Sequence, residues 1–268
     1  MKTQGPQAFL QGNQLPARWA GRARFVVVDT GFGHGDKFIA TWQAWRDDPS
    51  RCCRLFYVAL ASHPPARADA APALRQTWPA LTRNLHVLDF EAGQVQLLLA
   101  VGDAVMLLPR LRLAADAFFL DDGDPTLWQA RVMKALGRRA AANATLFTLN
   151  DASGLRSDLR SAGFEAQAHA GPGTTARWAP RHSPQRLPSA AVAAQTAVVV
   201  GAGLAGAAAA QALALLGLQV TVLDRQTASA AETSGNAAAI FHGTVNGDDG
   251  PYARLYRAAA LYAQRVYT

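Results

Sequence analysis

The sequence predicts an α/β chain of two nucleotide-fold units, and three observations predict it. Short runs of β-branched and aromatic residues alternate with helical patterns through the first two thirds of the chain. Two glycine-rich loops, at 31–35 and 201–206, each follow such a run directly. Between the two halves, a Pro-, Ser- and Ala-rich stretch over 179–195 suits a linker. The expected organisation is therefore a first domain over 1–178, the linker, and a second unit over 196–268.

Residues 24–29 read as a short buried strand, and 31–35 as a turn. Phe38, Ile39, Trp42 and Trp45 then recur at helical spacing. Residues 55–60 form a second strand, a Pro- and Ala-rich segment fills 64–79, and 95–100 is a third strand. Residues 117–121 give a fourth strand ending in acid, 127–141 a helix, 145–149 a strand and 153–162 a helix stopped by Gly163. This alternation predicts a parallel, doubly wound sheet with ligands at the carboxyl ends of its strands. The second unit opens with a strand at 196–200, a glycine loop, an Ala/Leu helix, and a strand at 219–223 ending at Asp224.

Composition narrows the function classes. Half of the 268 residues are hydrophobic and 17% are charged, which is a globular balance. The formal charge is +7 and comes from arginine, since Lys2, Lys37 and Lys134 are the only lysines. Arginine pairs with phosphate in a bidentate way, so a polyanion is a natural partner. Cys52 and Cys53 are adjacent, cannot staple a fold, and lack metal-ligand spacing, so no metal and a reducing, cytoplasmic location are expected. The first nineteen residues contain no apolar targeting segment. Residues 187–223 carry no charge, but glycines break the run, so a buried strand–turn–helix–strand explains it without a membrane.

The second loop has the full G-x-G-x-x-G pattern. Gly201 allows a tight turn, Gly203 lets the backbone approach a pyrophosphate, and Gly206 lets the helix pack on its strand. Asp224 lies 23 residues beyond Gly201, where a carboxylate can accept hydrogen bonds from a ribose. The first loop runs Asp29-Thr30-Gly31-Phe32-Gly33-His34-Gly35. An acid at a strand end followed by G-x-G-x-G is the pattern that holds the amino-acid part of S-adenosylmethionine in Rossmann-like methyltransferases. Asp103 follows the third strand, where such enzymes place an acid near the adenine. Asp121 closes the fourth strand and suits a general base, a solvated strand-end acid, or a helix cap for the segment after Pro125. His34 reads as an exposed turn residue.

Phe25 to Trp45, with Gly-Phe-Gly-His-Gly and Ala-Thr-Trp-Gln-Ala-Trp, resembles the methyltransferase half of the bacterial bifunctional tRNA 5-methylaminomethyl-2-thiouridine biosynthesis proteins. So does Asp116-Ala-Phe-Phe-Leu-Asp121 with Leu127-Trp128. The run from Val198 to Leu223, with Thr233-Ser-Gly-Asn236 and Ile240-Phe-His-Gly-Thr244, resembles the start of their FAD-dependent oxidoreductase half. The resemblance implies a Rossmann-like methyltransferase domain followed by the first part of a Rossmann FAD-binding domain. It implies methylation of the aminomethyl group on the wobble uridine of tRNA, after oxidative removal of a carboxymethyl group by the FAD half. By that likeness Gly31, Gly33, Gly35 and Asp103 would hold S-adenosylmethionine and Asp121 would be the base. Gly201, Gly203, Gly206 and Asp224 would hold the ADP part of FAD.

Departures from the family pattern set the counter-expectation. Where the family carries a glutamate before Lys-His-Pro, this chain has Ala61, and a charge-assisted hydrogen bond of that kind is worth roughly 1.5–3 kcal/mol. Asp36-Lys37-Phe38 replaces an apolar-Asn-Phe run, and the loop after Asp121 is shortened. The oxidoreductase portion is short for a flavin amine oxidase, so it is expected to be inactive alone unless a partner chain completes it. A non-catalytic tRNA-binding remnant is the alternative expectation.

Overall fold

Strand β1 (Phe25–Asp29) is the centre of the first domain, because three consecutive valines favour extended backbone and both of its faces are covered. The computed structural model describes residues 5–120, 129–150, 154–167, 171–180 and 195–267. Around β1 stand β2 (Leu55–Ala61), β3 (Asn84–Phe90), β4 (Val95–Val101), β5 (Ala115–Leu120), β6 (Ala140–Thr148), β7 (Phe164–Gln167) and β8 (Thr174–Trp178). Among the described residues they form one eight-stranded sheet in the order β3-β4-β2-β1-β5-β6-β8-β7.

Strands β4, β2, β1, β5 and β6 run parallel, as the βα alternation predicts. The sheet is nonetheless mixed, because β3 and β8 are antiparallel to their neighbours. Adjacent residues serve opposite faces, as the two-residue strand period requires. Val27 and Phe119 join the core containing Trp19, Phe38, Trp45 and Tyr57, whereas Val28 and Phe118 join the core containing Met133, Leu136 and Phe164. Each such buried aromatic contributes about 1.5–3 kcal/mol.

Helices α1 (Gln7–Gly12), α2 (Asp36–Asp47), α3 (Pro72–Arg75), α4 (Ala104–Leu107), α5 (Ala130–Gly137) and α6 (Leu155–Ser161) complete this domain. Helix α1 is fastened through the buried Asn13, whose Nδ2 donates to the Phe118 carbonyl at 3.2 Å while its Oδ1 accepts from Thr145 Oγ1 at 2.6 Å. The expected helix over 127–141 is shorter. It ends at Gly137, and Ala140 pairs with Ala115, so sheet pairing overrides the helix propensity of the alanines that follow. Gly137 lies against the Ala162 carbonyl, where a Cβ would stand 2.1 Å from the oxygen.

The second unit is a single βαβ turn. Strand β9 (Thr196–Val200) pairs in parallel with β10 (Gln219–Leu223), and α7 (Leu204–Leu215) connects them. Helix α8 (Pro251–Tyr267) then returns to the first domain and lies on the edge strand β3. Tyr262 Oη donates to Asp89 Oδ2 at 3.3 Å, and the Arg265 guanidinium donates to the Val87 carbonyl at 2.7 Å. No helix of the described residues is long and apolar enough to cross a membrane.

Candidate cofactor sites at two glycine loops

The first loop leaves the carboxyl end of β1 with a buried acid beneath it. Asp29 is fully buried and held by three donors: Gly31 N at 3.1 Å, Tyr57 Oη at 2.8 Å, and Lys37 Nζ at 3.1 Å. Burial pushes the Asp29 carboxyl up to about 6, against the opposing pull of Lys37, the Gly31 amide and the Tyr57 hydroxyl. The Lys37 ammonium also sits 5.0 Å from the centre of the Phe9 ring, so α1 closes this pair from outside.

Gly33 and Gly35 both take the left-handed backbone that favours glycine, with φ of +56° and +90°. A Cβ on Gly33 would meet nothing within 4 Å, which leaves open space over that part of the loop. Gly35 is different, since a Cβ there would stand 2.8 Å from Phe32 and 2.9 Å from Leu74. The Pro- and Ala-rich segment after β2 therefore packs on the loop. Ala71 N donates to the His34 carbonyl at 2.8 Å, His34 Nδ1 donates to the Asp69 carbonyl at 2.5 Å, and Phe32 stacks on Trp78. His34 is exposed, as a turn residue should be.

Asp103 stands on the same edge of the sheet, just past β4, and is exposed. Its Oδ1 accepts from Val105 N at 2.8 Å and so caps α4, leaving Oδ2 available to a ligand. Between the loop and Asp103 comes the end of β2, where Ala61 presents no carboxylate and its carbonyl accepts from Gly102 N at 2.8 Å. Asp121 lies outside the described residues, directly after the last residue of β5 in the sequence. The loop and Asp103 fit a ligand with an amino-acid end and a base end. The β2 terminus supplies no charged anchor for the part between them.

At the second loop Gly201 has φ +105° with open space above it, and Gly206 packs so closely that a Cβ would stand 1.8 Å from the Gly201 carbonyl. Asp224 reaches back from β10: its Oδ2 accepts from Ala202 N at 2.6 Å and its Oδ1 from Gln226 N at 2.7 Å. The Ala202 amide above all, then the Gln226 amide, holds this carboxyl below its usual value. Ser234 Oγ accepts from Leu204 N at 3.1 Å, at the start of α7. Gly201, Gly203, Asp224, Glu232 and Ser234 line one cavity of about 440 Å³. Backbone amides at a helix start beside a strand-end carboxylate suit a nucleotide diphosphate.

The glycines and acids of each loop group together in the sequence, but the residues that support them do not. Lys37 and Tyr57 become partners of Asp29 only in the fold, although a lysine in the helix turn after an acid-bearing loop is a visible signal. Trp78 gave none, because a lone aromatic in a proline-rich segment has no periodicity.

Comparison with known proteins matches two separate stretches of the chain. Residues 65–177 match the model of an S-adenosyl-L-methionine-dependent methyltransferase family, and residues 196–267 match the FAD dependent oxidoreductase model. The chain is 46% identical over 288 residues to the tRNA 5-methylaminomethyl-2-thiouridine biosynthesis bifunctional protein MnmC of Methylibium petroleiphilum, covering 98% of this chain and 44% of that one. Its likeness to the protein of the same name from Cupriavidus metallidurans is 44% over 295 residues, covering 98% and 43%. The chain thus spans less than half the length of these relatives. A solved structure, MNMC2 from Aquifex aeolicus, shares the fold at a TM-score of 0.53 and 18% identity, over 67% of this chain and 61% of that one.

Proposed function

Because the chain belongs, over the stretch it spans, to the family of bifunctional tRNA 5-methylaminomethyl-2-thiouridine biosynthesis proteins, we propose that its first domain is the methyltransferase of that pair. The substrate is the aminomethyl group on the wobble uridine of tRNA, and the methyl donor is S-adenosylmethionine. The observation that carries this reading is the loop from Asp29 to Gly35 at the carboxyl edge of the sheet, with the exposed carboxylate of Asp103 on the same edge.

When bound, S-adenosylmethionine supplies an electrophilic methyl group. The chain supplies position and a base. Gly31, Gly33 and Gly35 let the backbone approach the amino-acid end of the donor, and Asp103 accepts from its base. Asp121 takes the proton from the aminomethyl nitrogen, so that the nitrogen keeps a lone pair for attack. In the second unit Gly201, Gly203, Gly206 and Asp224 hold the ADP portion of FAD, a group that when bound supplies two-electron oxidation. For that unit we propose binding and assign no reaction to it alone.

Mass spectrometry of wobble nucleosides tests the proposal, with aminomethyl-bearing tRNA incubated with the chain and the donor. Methylation by wild type that disappears in Asp121→Asn is the expected result. Equal methylation by both removes Asp121 from the role of base, and none by either defeats the methyltransferase reading. Ala61 favours a second reading, an RNA-binding relative that transfers no methyl, which calorimetry separates by finding tRNA binding without donor binding.

A further inference from the structure

Four arginines gather where α8 meets the first domain. Arg83 precedes β3, Arg110 follows α4, and Arg254 belongs to α8; together they line a cleft of about 410 Å³ that also contains Asp103. Arg257 stands beside it and shares one carboxylate with Arg254: Asp249 Oδ1 lies 2.5 Å from the Arg257 guanidinium and Asp249 Oδ2 lies 3.5 Å from Arg254 Nε. The Arg257 hydrogen bond first, and the charges of Arg254 and Arg83 after it, hold Asp249 below the usual carboxylate range. Among the described residues that line the cleft or pair with its arginines, the carboxylates are Asp249 and Asp103, and Asp103 spends one oxygen on its own helix cap. Such an excess of arginine beside a roomy cleft suits a ligand with spaced negative charges.

A second feature says which polyanion. Tyr252 and Tyr256, one turn apart on α8, pack with ring centres 4.2 Å apart and planes tilted by 34°, and are 62% and 45% exposed. Exposed paired aromatics on the helix whose Pro251, Arg254 and Leu255 wall a basic groove are a platform for unpaired bases, which a closed duplex does not offer. The cleft opens beside Asp103, at the carboxyl edge that also carries the first glycine loop.

We propose that this cleft binds the sugar–phosphate backbone of single-stranded RNA through Arg83, Arg110 and Arg254, while Tyr252 and Tyr256 stack its bases. The inference rests on the tRNA reading above and locates where the loop of that RNA runs. It gives α8 a role outside the cofactor sites, because a helix following the second glycine loop completes an RNA groove on the first domain.

Fluorescence anisotropy with a labelled anticodon stem-loop RNA, repeated over a salt series, tests it. Arg83→Gln/Arg110→Gln is expected to bind at least tenfold more weakly and to flatten the log–log salt slope by roughly 0.7 per arginine. Tyr252→Ala/Tyr256→Ala should weaken binding by roughly five- to hundredfold with the slope unchanged. Asp249→Asn should bind more tightly than wild type, a gain that structural damage would not produce. The control is Arg156→Gln/Arg160→Gln on α6, beside the opposite edge strand β7. Equal losses in the arginine pair and the control, or none in either, overturn the cleft while the tRNA reading stands. A duplex of equal length bound as tightly as the loop overturns the single-strand assignment. Absence of any RNA binding by wild type overturns the tRNA reading together with the cleft.

Discussion

The Lys37 ammonium lies 3.1 Å from Asp29 Oδ1 beneath the first glycine loop, with the lysine side chain 11% exposed and the aspartate fully buried. A pair this dry is costly to split, since removing one partner strands the other charge. Lys37→Met is expected to destabilise the domain by about 3–5 kcal/mol at pH 7. The loss should shrink at pH 4, where Asp29 escapes the penalty by taking a proton. Urea melts at the two pH values measure this, and equal losses at both would contradict it.

Asp29 also gives stability a definite pH sign. Its folded-state value of about 6 is above the unfolded one, so between about pH 4 and 6 the native state binds the extra proton. Its contribution is therefore most favourable below about pH 4, declines as pH rises to about 6, and is constant beyond. Wild type should lose stability relative to Asp29→Asn across that window. A difference between the two that stays flat from pH 4 to 7 would show that burial does not raise this carboxyl.

Two glycines in one loop should respond differently to the same change. Gly33→Ala meets open space and bears only the left-handed backbone cost, about 1 kcal/mol. Gly35→Ala adds contacts of 2.8 Å to Phe32 and 2.9 Å to Leu74, so it should cost at least about 2 kcal/mol. Chemical denaturation of both variants decides the order, and a larger loss for Gly33→Ala would refute the packing of the Pro-rich segment on the loop.

Much of this was legible in the sequence because strand and turn chemistry are local. The three valines before Asp29, and the spacing of Gly201, Gly203, Gly206 and Asp224, needed no tertiary information. What escaped depends on partners distant in the chain. Strand β3 is an edge strand whose register is set by β4, and its Leu-His-Val-Leu-Asp-Phe run shows too little contrast to stand alone. The β7–β8 pair sits among glycines and charged residues that read as loop. Helix α8 is amphipathic, but its inner face only has meaning once Asp89 and Val87 are in place beneath it. The arginine cleft combines residues from 83 to 254, so no window of sequence contains it.

Ala61 offers a gain-of-function prediction. It ends β2 between the first loop and Asp103, where the family pattern carries a carboxylate. Ala61→Glu is expected to tighten S-adenosylmethionine binding by roughly ten- to hundredfold, the worth of one charge-assisted hydrogen bond. Calorimetry on the two proteins measures it. Unchanged or weaker affinity in the variant would mean that a carboxylate at the end of β2 does not anchor the donor.

The second loop makes a prediction about its own order. Asp224 accepts one amide on each oxygen, Ala202 N at 2.6 Å and Gln226 N at 2.7 Å. Asparagine keeps one acceptor and turns an N–H₂ group toward the other amide, so Asp224→Asn sets donor against donor and loosens the loop. Since these bonds lower the carboxyl value, they hold above the usual carboxylate range and are lost only as pH falls through the lowered folded value. At pH 6 the Ala202 or Gln226 amide should exchange with deuterium several-fold faster in Asp224→Asn than in wild type, and ADP should bind more weakly. Wild-type protection, taken relative to a free amide at the same pH, should persist to below about pH 4, the ordinary aspartate range, before it is lost. Identical exchange in the two proteins at pH 6 would show that Asp224 does not order this loop, and the ADP site would then rest on its glycines alone.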